Sequence, residues 1–185
     1  MMNDLLITKP TREDITSAYA VFEASITDAF EKDGLGHLTS DIEYEIESKK
    51  NLLTSSLVNA KSGTFFLVAK MNDNLIGTVS FGPCSSDIKK FTNNQLEAIG
   101  ELGSLYVLPE FQGKGVGSAL IHSIMKVLYE SGVKQFCLDS GYKQAQSKWL
   151  RKFGEPYFIA RDYWGKDRHH MVWLCKVSDY VKGQD

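Results

Sequence analysis

The sequence predicts a single mixed α/β domain, of the α+β kind, with a central sheet flanked by helices over residues 1–185. Apolar residues follow helical spacing in two segments before residue 60, alternate at the strand period from Thr64, and return to helical spacing from Val116. The chain has 185 residues, 43% of them hydrophobic, and this length can bury one sizeable core. No repeat or linker divides it.

The first predicted elements are a strand and two helices. Residues 5–8 are mostly apolar and suit a short strand. Thr11 and Asp14 have the spacing of a capping box, with an acid in place of the usual Glu or Gln. Apolar residues then recur at helical spacing over residues 15–26, and a second helix is predicted over residues 41–58.

Strands and helices alternate through the rest of the chain. Residues 64–71 and 75–81 indicate a hairpin around the turn Asn72-Asp73-Asn74. The polar stretch 83–95 is predicted to be a loop. The later elements are predicted as a strand at 99–108, a helix at 116–130, a strand at 135–139, a helix at 145–153, and a hairpin of 157–163 with 169–177.

Composition and charge argue against several classes of protein. A net charge of −2 disfavours nucleic acid as a partner, because nucleic-acid-binding domains carry a basic surplus. No apolar run approaches the roughly 20 residues of a membrane helix, and the N-terminus has no signal-peptide pattern. The three cysteines, Cys84, Cys137 and Cys175, are too far apart to indicate a disulfide framework or a metal site. We therefore expect a cytoplasmic protein without a bound metal or a membrane partner.

The most informative segment is LYVLPEFQGKGVGS, residues 105–118. A predicted strand ends before Pro109, and a glycine-rich turn then opens a predicted helix. The first turn of a helix has unpaired N–H groups and the equivalent of about +0.5 charge, and glycines let a phosphate approach the backbone. The segment therefore predicts an anion site on the amides of Gln112, Gly113, Lys114, Gly115, Val116, Gly117 and Ser118.

Two nucleotide-binding motifs fit this turn less well. A Walker A loop needs Gly-x-x-x-x-Gly-Lys-Ser/Thr, which no stretch of the chain supplies. The dinucleotide fingerprint Gly-x-Gly-x-x-Gly would need a glycine where Ser118 stands. A glycine-rich turn that binds no ligand is a further alternative.

The segment resembles motif A of the GNAT superfamily of acyl-CoA-dependent N-acetyltransferases, whose pattern is Gln/Arg-x-x-Gly-x-Gly/Ala. Gln112, Gly115 and Gly117 match this pattern, after the Leu-Tyr-Val-x-Pro-Glu strand end that is usual in the family. The order of strands and helices is similar over nearly the whole chain. The resemblance implies acetyl transfer from acetyl-CoA to an amine, by direct attack in a ternary complex.

The resemblance also implies where acetyl-CoA lies. The sheet would be splayed open beside a bulge on the strand ending at Leu108, and the cosubstrate would lie in the splay. Its pantetheine arm would pair with the backbone of Leu105, Tyr106 and Val107, and its pyrophosphate would sit on the amides of residues 112–118. Lys114 either adds charge there or is a solvated lysine.

Acetyl transfer needs a base, because an alkylamine with a pKa near 10.4 is almost wholly protonated at pH 7. A buried carboxylate can take the proton, since burial raises its pKa toward the useful range. Glu101 is the candidate, because it lies on the motif-A strand where the histone-acetylating branch of the superfamily carries a glutamate base. A surface glutamate in a salt bridge is the alternative, and Glu97 is the second choice.

The family often carries a tyrosine that protonates the departing thiolate, within a Tyr-x-x-x-Gly-Phe-like run. That position falls here on Trp149, or on Leu150 if the register slips, and neither side chain can act as an acid. Tyr142 is the nearest phenol in sequence. His169 and His170 would lie on opposite faces of a strand, so at most one of them can face the site.

The sequence leaves the acceptor open, whether a small molecule or a peptide amine. Acids cluster around the first two helices, which commonly border the acceptor site in this family, and their charge would favour a cationic amine. They are Asp28, Glu31, Asp33, Asp41, Glu43, Glu45 and Glu47. A non-catalytic acyl-CoA-binding module on the same fold is the alternative function, and a homodimer is left open.

Overall fold

The computed structural model describes residues 4–59 and 61–181. Seven strands and five α-helices occur in that part of the chain, in the order β1, α1, α2, β2, β3, α3, β4, α4, β5, α5, β6 and β7. The strands are β1 (Leu5–Thr8), β2 (Phe65–Met71), β3 (Asn74–Gly82), β4 (Gly100–Val107), β5 (Gln135–Ser140), β6 (Phe158–Ala160) and β7 (His170–Lys176). The helices are α1 (Ile15–Lys32), α2 (Thr39–Val58), α3 (Ser86–Phe91), α4 (Val116–Glu130) and α5 (Lys143–Phe153).

One sheet joins all seven strands in the order β1-β2-β3-β4-β5-β7-β6. Every neighbouring pair is antiparallel except β4 and β5, which run parallel. The mixed α/β domain that the sequence predicts is confirmed, and most predicted elements lie within two residues of their observed positions.

The sheet opens between its two central strands. β4 and β5 share only the register pairs Gly100↔Phe136 and Glu101↔Cys137, so the rest of β4 has no strand partner on that side. On its other side β4 pairs with β3 as far as Val107, with a register shift opposite Val79. Ser104 lies at this shift and has φ 48°, as in a β-bulge. The bulged strand and the splayed sheet that the resemblance implies are both present.

The bulge reverses the faces of β4. Leu102 packs on the α4 side of the sheet, and simple alternation would place Leu105 and Val107 on the opposite side. Both instead pack on the α4 side, while Tyr106 packs against α1 and α2. The extra residue at the bulge accounts for this change, because it shifts the alternation by one.

Helices cover both faces of the sheet. The buried face of α4 contributes Val116, Leu120, Ile124, Met125 and Leu128 to one core cluster. On the other face, α1 and α2 pack over β2 and β3 in a second cluster. A third cluster lies beside them, where α3 meets Cys137 of β5 and Val172 of β7.

The predicted loop over residues 83–95 was wrong, because it contains α3. Ser85 caps this helix by accepting a hydrogen bond from the Ile88 N–H at 3.4 Å, and Ile88 and Phe91 are its buried residues. Six residues with two apolar positions give too little periodicity for a helix to be recognised. The Ser-Ser-Asp run at the cap was the available signal.

Candidate functional site

The glycine-rich turn adopts a backbone that only glycine accepts easily. Gly113 and Gly115 have φ 73° and 87°, in the left-handed region. A Cβ at Gly113 would meet no atom within 4 Å, and at Gly117 only Val107 Cγ2 at 3.9 Å. The turn therefore presents an open backbone surface.

This surface ends at the N-terminus of α4. The first intrahelical bond runs from the Ala119 N–H to the Gly115 carbonyl at 3.0 Å. The preceding N–H groups, of Val116, Gly117 and Ser118, therefore have no partner within the helix. No side chain caps this end. Free amides with the positive end of the helix dipole form a site that fits a pyrophosphate.

The Gln112 side chain fixes the turn rather than facing outward. Its Nε2 donates to the Val107 carbonyl at 3.1 Å and to Asp28 Oδ2 at 3.3 Å, and its Oε1 accepts from Lys32 Nζ at 3.1 Å. Ser25 Oγ of α1 also donates to the Val107 carbonyl, at 3.0 Å. Gln112 thus ties the turn to β4 and α1. Its backbone N–H donates to the Pro109 carbonyl at 3.2 Å, so the free amides of the turn begin after Gln112.

The Lys114 side chain is exposed, and its Nζ lies 5.4 Å from the centre of the Phe111 ring. This position is compatible with either role that the sequence left open.

The unpaired side of β4 lines the gap in the sheet. The Leu108 N–H donates to the Ile76 carbonyl at 2.9 Å, so by alternation the Tyr106 backbone also faces β3 and the Leu105 and Val107 N–H groups face the gap. Of the three residues predicted to pair with pantetheine, Leu105 and Val107 thus have backbone N–H groups that face the gap, and Tyr106 does not. Of the buried side-chain polar atoms in residues 4–59 and 61–181, only Ser104 Oγ lacks a hydrogen-bond partner, and it lies at the bulge beside this gap.

Glu101 lies at the closed end of the gap, where β4 and β5 are still paired. Its Oε2 accepts a hydrogen bond from the Ser85 N–H at 2.6 Å. Burial and the nearby charge of Asp139 raise the pKa of Glu101 from 4.5 to about 7, against the opposing effects of the Ser85 hydrogen bonds and Lys49. Glu97, the second choice, is instead an exposed residue, paired with Lys89 at 3.1 Å. A buried carboxylate with a pKa near neutrality beside this gap has the properties of a general base.

A family model described as the acetyltransferase (GNAT) family matches residues 24–154 of the chain. The chain belongs to this family. The match includes the glycine-rich turn, all of β4, β5 and α5, and the second half of α1. A search of curated proteins finds no match.

Solved structures of other GNAT acetyltransferases share the fold. One from Desulfovibrio desulfuricans has 16% identity and a TM-score of 0.70, over 94% of this chain and 99% of that one. The PaiA N-acetyltransferase of Thermoplasma acidophilum, solved with coenzyme A, has 19% identity and a TM-score of 0.65, over 91% and 98%. A GNAT acetyltransferase of Brucella melitensis, solved with acetyl-CoA, has 24% identity and a TM-score of 0.56, over 83% and 84%. At these identities the likeness concerns the fold.

In this GNAT acetyltransferase, one carboxylate of α2 joins two tyrosines. Glu45 Oε1 accepts from the Tyr106 hydroxyl at 2.8 Å, and Oε2 accepts from the Tyr142 hydroxyl in a short hydrogen bond. Tyr142 also packs edge-on against Phe30 of α1. Burial, followed by the charge of Glu45, raises the pKa of both phenols. The sequence did not single out Glu45 within its acidic cluster, because the link joins residues up to 97 positions apart.

The position of the family tyrosine carries no acid in this GNAT acetyltransferase. Trp149 packs on Phe153 of α5, with ring centres 5.5 Å apart, and Leu150 is partly exposed. Neither can protonate a thiolate.

His170 and Asp139 were missed as a pair by the sequence analysis. His170 Nε2 lies 2.9 Å from Asp139 Oδ2, on the face of the sheet that carries Cys137 and the α3 cluster. His169 points elsewhere, and its Nδ1 accepts from the Asp162 N–H at 3.0 Å. Of the two histidines, His170 therefore lies on the side of Glu101.

Other features of the described residues lie away from this site. A concavity of about 550 Å³ lies between α1 and the β2–β3 hairpin, but its lining includes no residue of the turn at 112–118. Within residues 4–59 and 61–181, no group of three or more His, Cys, Asp or Glu residues is placed to hold a metal ion. No described helix combines the length and apolarity needed to cross a membrane.

Proposed function

We propose that this GNAT protein transfers the acetyl group of acetyl-CoA to an amine by direct attack, with Glu101 as the general base. The observation that supports it best is the arrangement of an anion-binding helix end and a buried glutamate at opposite ends of one gap in the sheet. The six residue steps from Glu101 to Val107 span at most about 20 Å along a strand. The gap therefore suits a long cofactor arm rather than a free phosphate.

Acetyl-CoA fits the backbone groups that this gap offers. Its pyrophosphate would bind the amides of Gly113, Lys114, Gly115, Val116, Gly117 and Ser118, with that of Gln112 beside them. Its pantetheine arm would pair with the gap-facing N–H groups of Leu105 and Val107. The thioester end would then point toward the closed end of the gap. A backbone N–H of the gap that donates to the thioester carbonyl oxygen would stabilise the negative charge that forms on this oxygen as the amine attacks.

Glu101 would accept the proton that the amine must lose. A base with a pKa of about 7 is partly ionised at neutral pH and still binds a proton strongly enough to be useful. The bond from nitrogen to the acetyl carbon forms, the carbon–sulfur bond breaks, and the CoA sulfur leaves as a thiolate. The second proton that the nitrogen loses, as the amide forms, passes to solvent water. Because thiols titrate near 8.5, this thiolate can leave without an acid.

A thiol-release assay tests this proposal. Purified protein is given acetyl-CoA and a panel of amines, and free CoA thiol is measured. We expect turnover with at least one amine, and a loss of about 10²–10⁴-fold near pH 7 in Glu101→Gln. Higher pH should restore part of the rate, because more of the amine is then neutral.

Glu97→Gln is the matched control, since it removes an equivalent charge from an exposed ion pair. The rate of Glu97→Gln should stay within about twofold of the wild-type rate. Full activity of Glu101→Gln at pH 7 would remove Glu101 as the base. Binding of acetyl-CoA without thiol release from any amine would instead favour the non-catalytic acyl-CoA-binding module.

A further inference from the structure

A chain of three polar side chains runs beside Glu101 and plays no part in the steps above. Asp139 of β5 contacts His170 at the start of β7 at 2.9 Å. The Trp164 indole Nε1–H in turn donates to His170 Nδ1 at 3.1 Å. The His170 side chain is only 7% exposed, so the imidazole that makes both contacts is almost fully shielded from water.

The indole decides which nitrogen of His170 carries the proton. Trp Nε1–H can only donate, so Nδ1 must offer a lone pair. The proton of the neutral ring then lies on Nε2, where it is donated to Asp139 Oδ2. Both ring nitrogens are therefore committed, and neither is free to take a proton from a substrate.

Packing holds the imidazole in this orientation. The ring of Phe91, from α3, lies 4.7 Å from it between centres, and Tyr163 lies 6.3 Å away. At the end of β5, a Cβ on Gly141 would lie 2.8 Å from Trp164 Nε1 and 3.3 Å from His170 Nδ1. The indole and imidazole therefore lie directly against the backbone there. His170 is buried, whereas Trp164 is 53% exposed and covers the ring from the solvent side.

Asp139 lies near Glu101, on the neighbouring strand and on the same face of the sheet. Cys137 is the register partner of Glu101, and Asp139 lies two residues further along the same face of β5. The other charged or titratable groups near Glu101 are Lys49 of α2, Cys84 before α3, and Cys137 itself. Asp139 is the one additional carboxylate among these groups.

We propose that Asp139 is a positioning residue for the acetyl transfer, held by His170 and Trp164 so that its negative charge lies near Glu101 and leaves Glu101 as the carboxylate that takes the amine proton. This inference rests on the proposed function. No proton travels along the chain, because both nitrogens of His170 are already used. Two carboxylates at one site differ in role when their environments differ, and here only Asp139 has an imidazole donor.

The titration of Glu101 itself gives a test that does not depend on turnover. The protein is labelled with ¹³C at glutamate carboxyl carbons, and the Glu101 signal is assigned by its loss in Glu101→Gln. In Asp139→Asn, the amide oxygen still accepts from His170, so the fold should be kept while the charge is lost. We expect the midpoint of the Glu101 titration to fall by about one pH unit, and the acidic limb of kcat/KM to move with it.

Trp164→Phe tests whether Trp164 orients His170, and His169→Gln is the matched control. Without its indole partner His170 can change tautomer or turn, so Trp164→Phe should give a smaller fall in the same direction. His169→Gln should leave the midpoint unchanged. An unchanged midpoint in Asp139→Asn, with Glu101→Gln inactive, would overturn this inference and leave the proposed function standing. Full activity of Glu101→Gln would overturn both.

Discussion

At the scale of single residues, most polar side chains of the site are engaged in hydrogen bonds within the protein. Gln112 uses its side chain to fix the turn, and His170 uses both nitrogens to hold Asp139. Tyr142 donates its hydroxyl proton to Glu45. Glu101 differs from these residues, because its carboxylate accepts from the backbone amide of Ser85 while burial and the charge of Asp139 raise its pKa.

Because the Tyr142 hydroxyl already donates to Glu45, we predict that Tyr142 does not protonate the departing thiolate. Its proton is directed at a carboxylate, and burial raises its pKa far above that of a CoA thiol. Tyr142→Phe should therefore keep most of the turnover and lose about 1 kcal/mol of stability with the hydrogen bond. Thiol-release kinetics and a denaturant melt measure the two effects. A loss of more than about 100-fold in turnover, with acetyl-CoA affinity intact, would show that Tyr142 replaces the family's acid.

The raised pKa of Glu101 predicts a cost in stability at high pH. Between pH 4.5 and 7 the folded state keeps a proton that the unfolded state has lost, so the free energy of unfolding falls as pH rises. Glu101→Gln has no such proton to lose. Its stability relative to the wild type should therefore rise by about 2 kcal/mol between pH 5 and pH 8. Urea unfolding at both pH values measures this difference, and an equal difference at the two would contradict it.

At the scale of elements, the site depends on where β4 ends and α4 begins. The gap-facing amides of β4 and the free amides of α4 meet at the glycine-rich turn. A change in this turn should therefore affect acetyl-CoA binding without affecting the core, which lies beneath α4.

Gly117 offers the cleanest change, because it has room for a Cβ and needs no positive φ. Gly117→Asp places a carboxylate where the pyrophosphate would bind, so acetyl-CoA binding should be abolished. The same charge favours the helix N-terminus, which separates lost binding from lost folding. Gly117→Asn has nearly the same shape without the charge and should weaken binding less. Titration calorimetry measures both, and equal affinities for wild type and Gly117→Asp would remove the turn as the phosphate site.

The sequence predicted those elements whose signal is local. The helix at 116–130 was predicted with its observed bounds, because its apolar stripe and its flanking glycines act within a few residues. α3 was missed because only two of its residues are buried. The His170–Asp139 pair was missed because it joins residues 31 apart, and no local pattern marks the approach of two strands.

At the scale of the whole molecule, a cofactor in the gap would join elements that otherwise touch little. Ligand binding to the folded state alone stabilises it by about 2.7 kcal/mol at a concentration 100 times Kd. For a chain of this size, that corresponds to a rise in Tm of about 5–10 °C. We expect acetyl-CoA to produce such a rise in a thermal melt and ATP to produce much less. A larger effect of ATP would favour a nucleotide-binding domain.

The narrow junction between β4 and β5 also bears on how the molecule comes apart. Residues 5–107 build an antiparallel half-sheet, and residues 135–176 build another, each complete within a continuous piece of chain. Only two register pairs join the halves as strands. The other connections are made by side chains: the packing of α4, the third cluster between α3 and β5–β7, and the Tyr142–Glu45 hydrogen bond. Separate cooperative units of this kind open with their own free energies, and amide hydrogen exchange resolves them. We therefore expect the two halves to exchange with different free energies in the free protein, and with more similar ones when acetyl-CoA spans the junction.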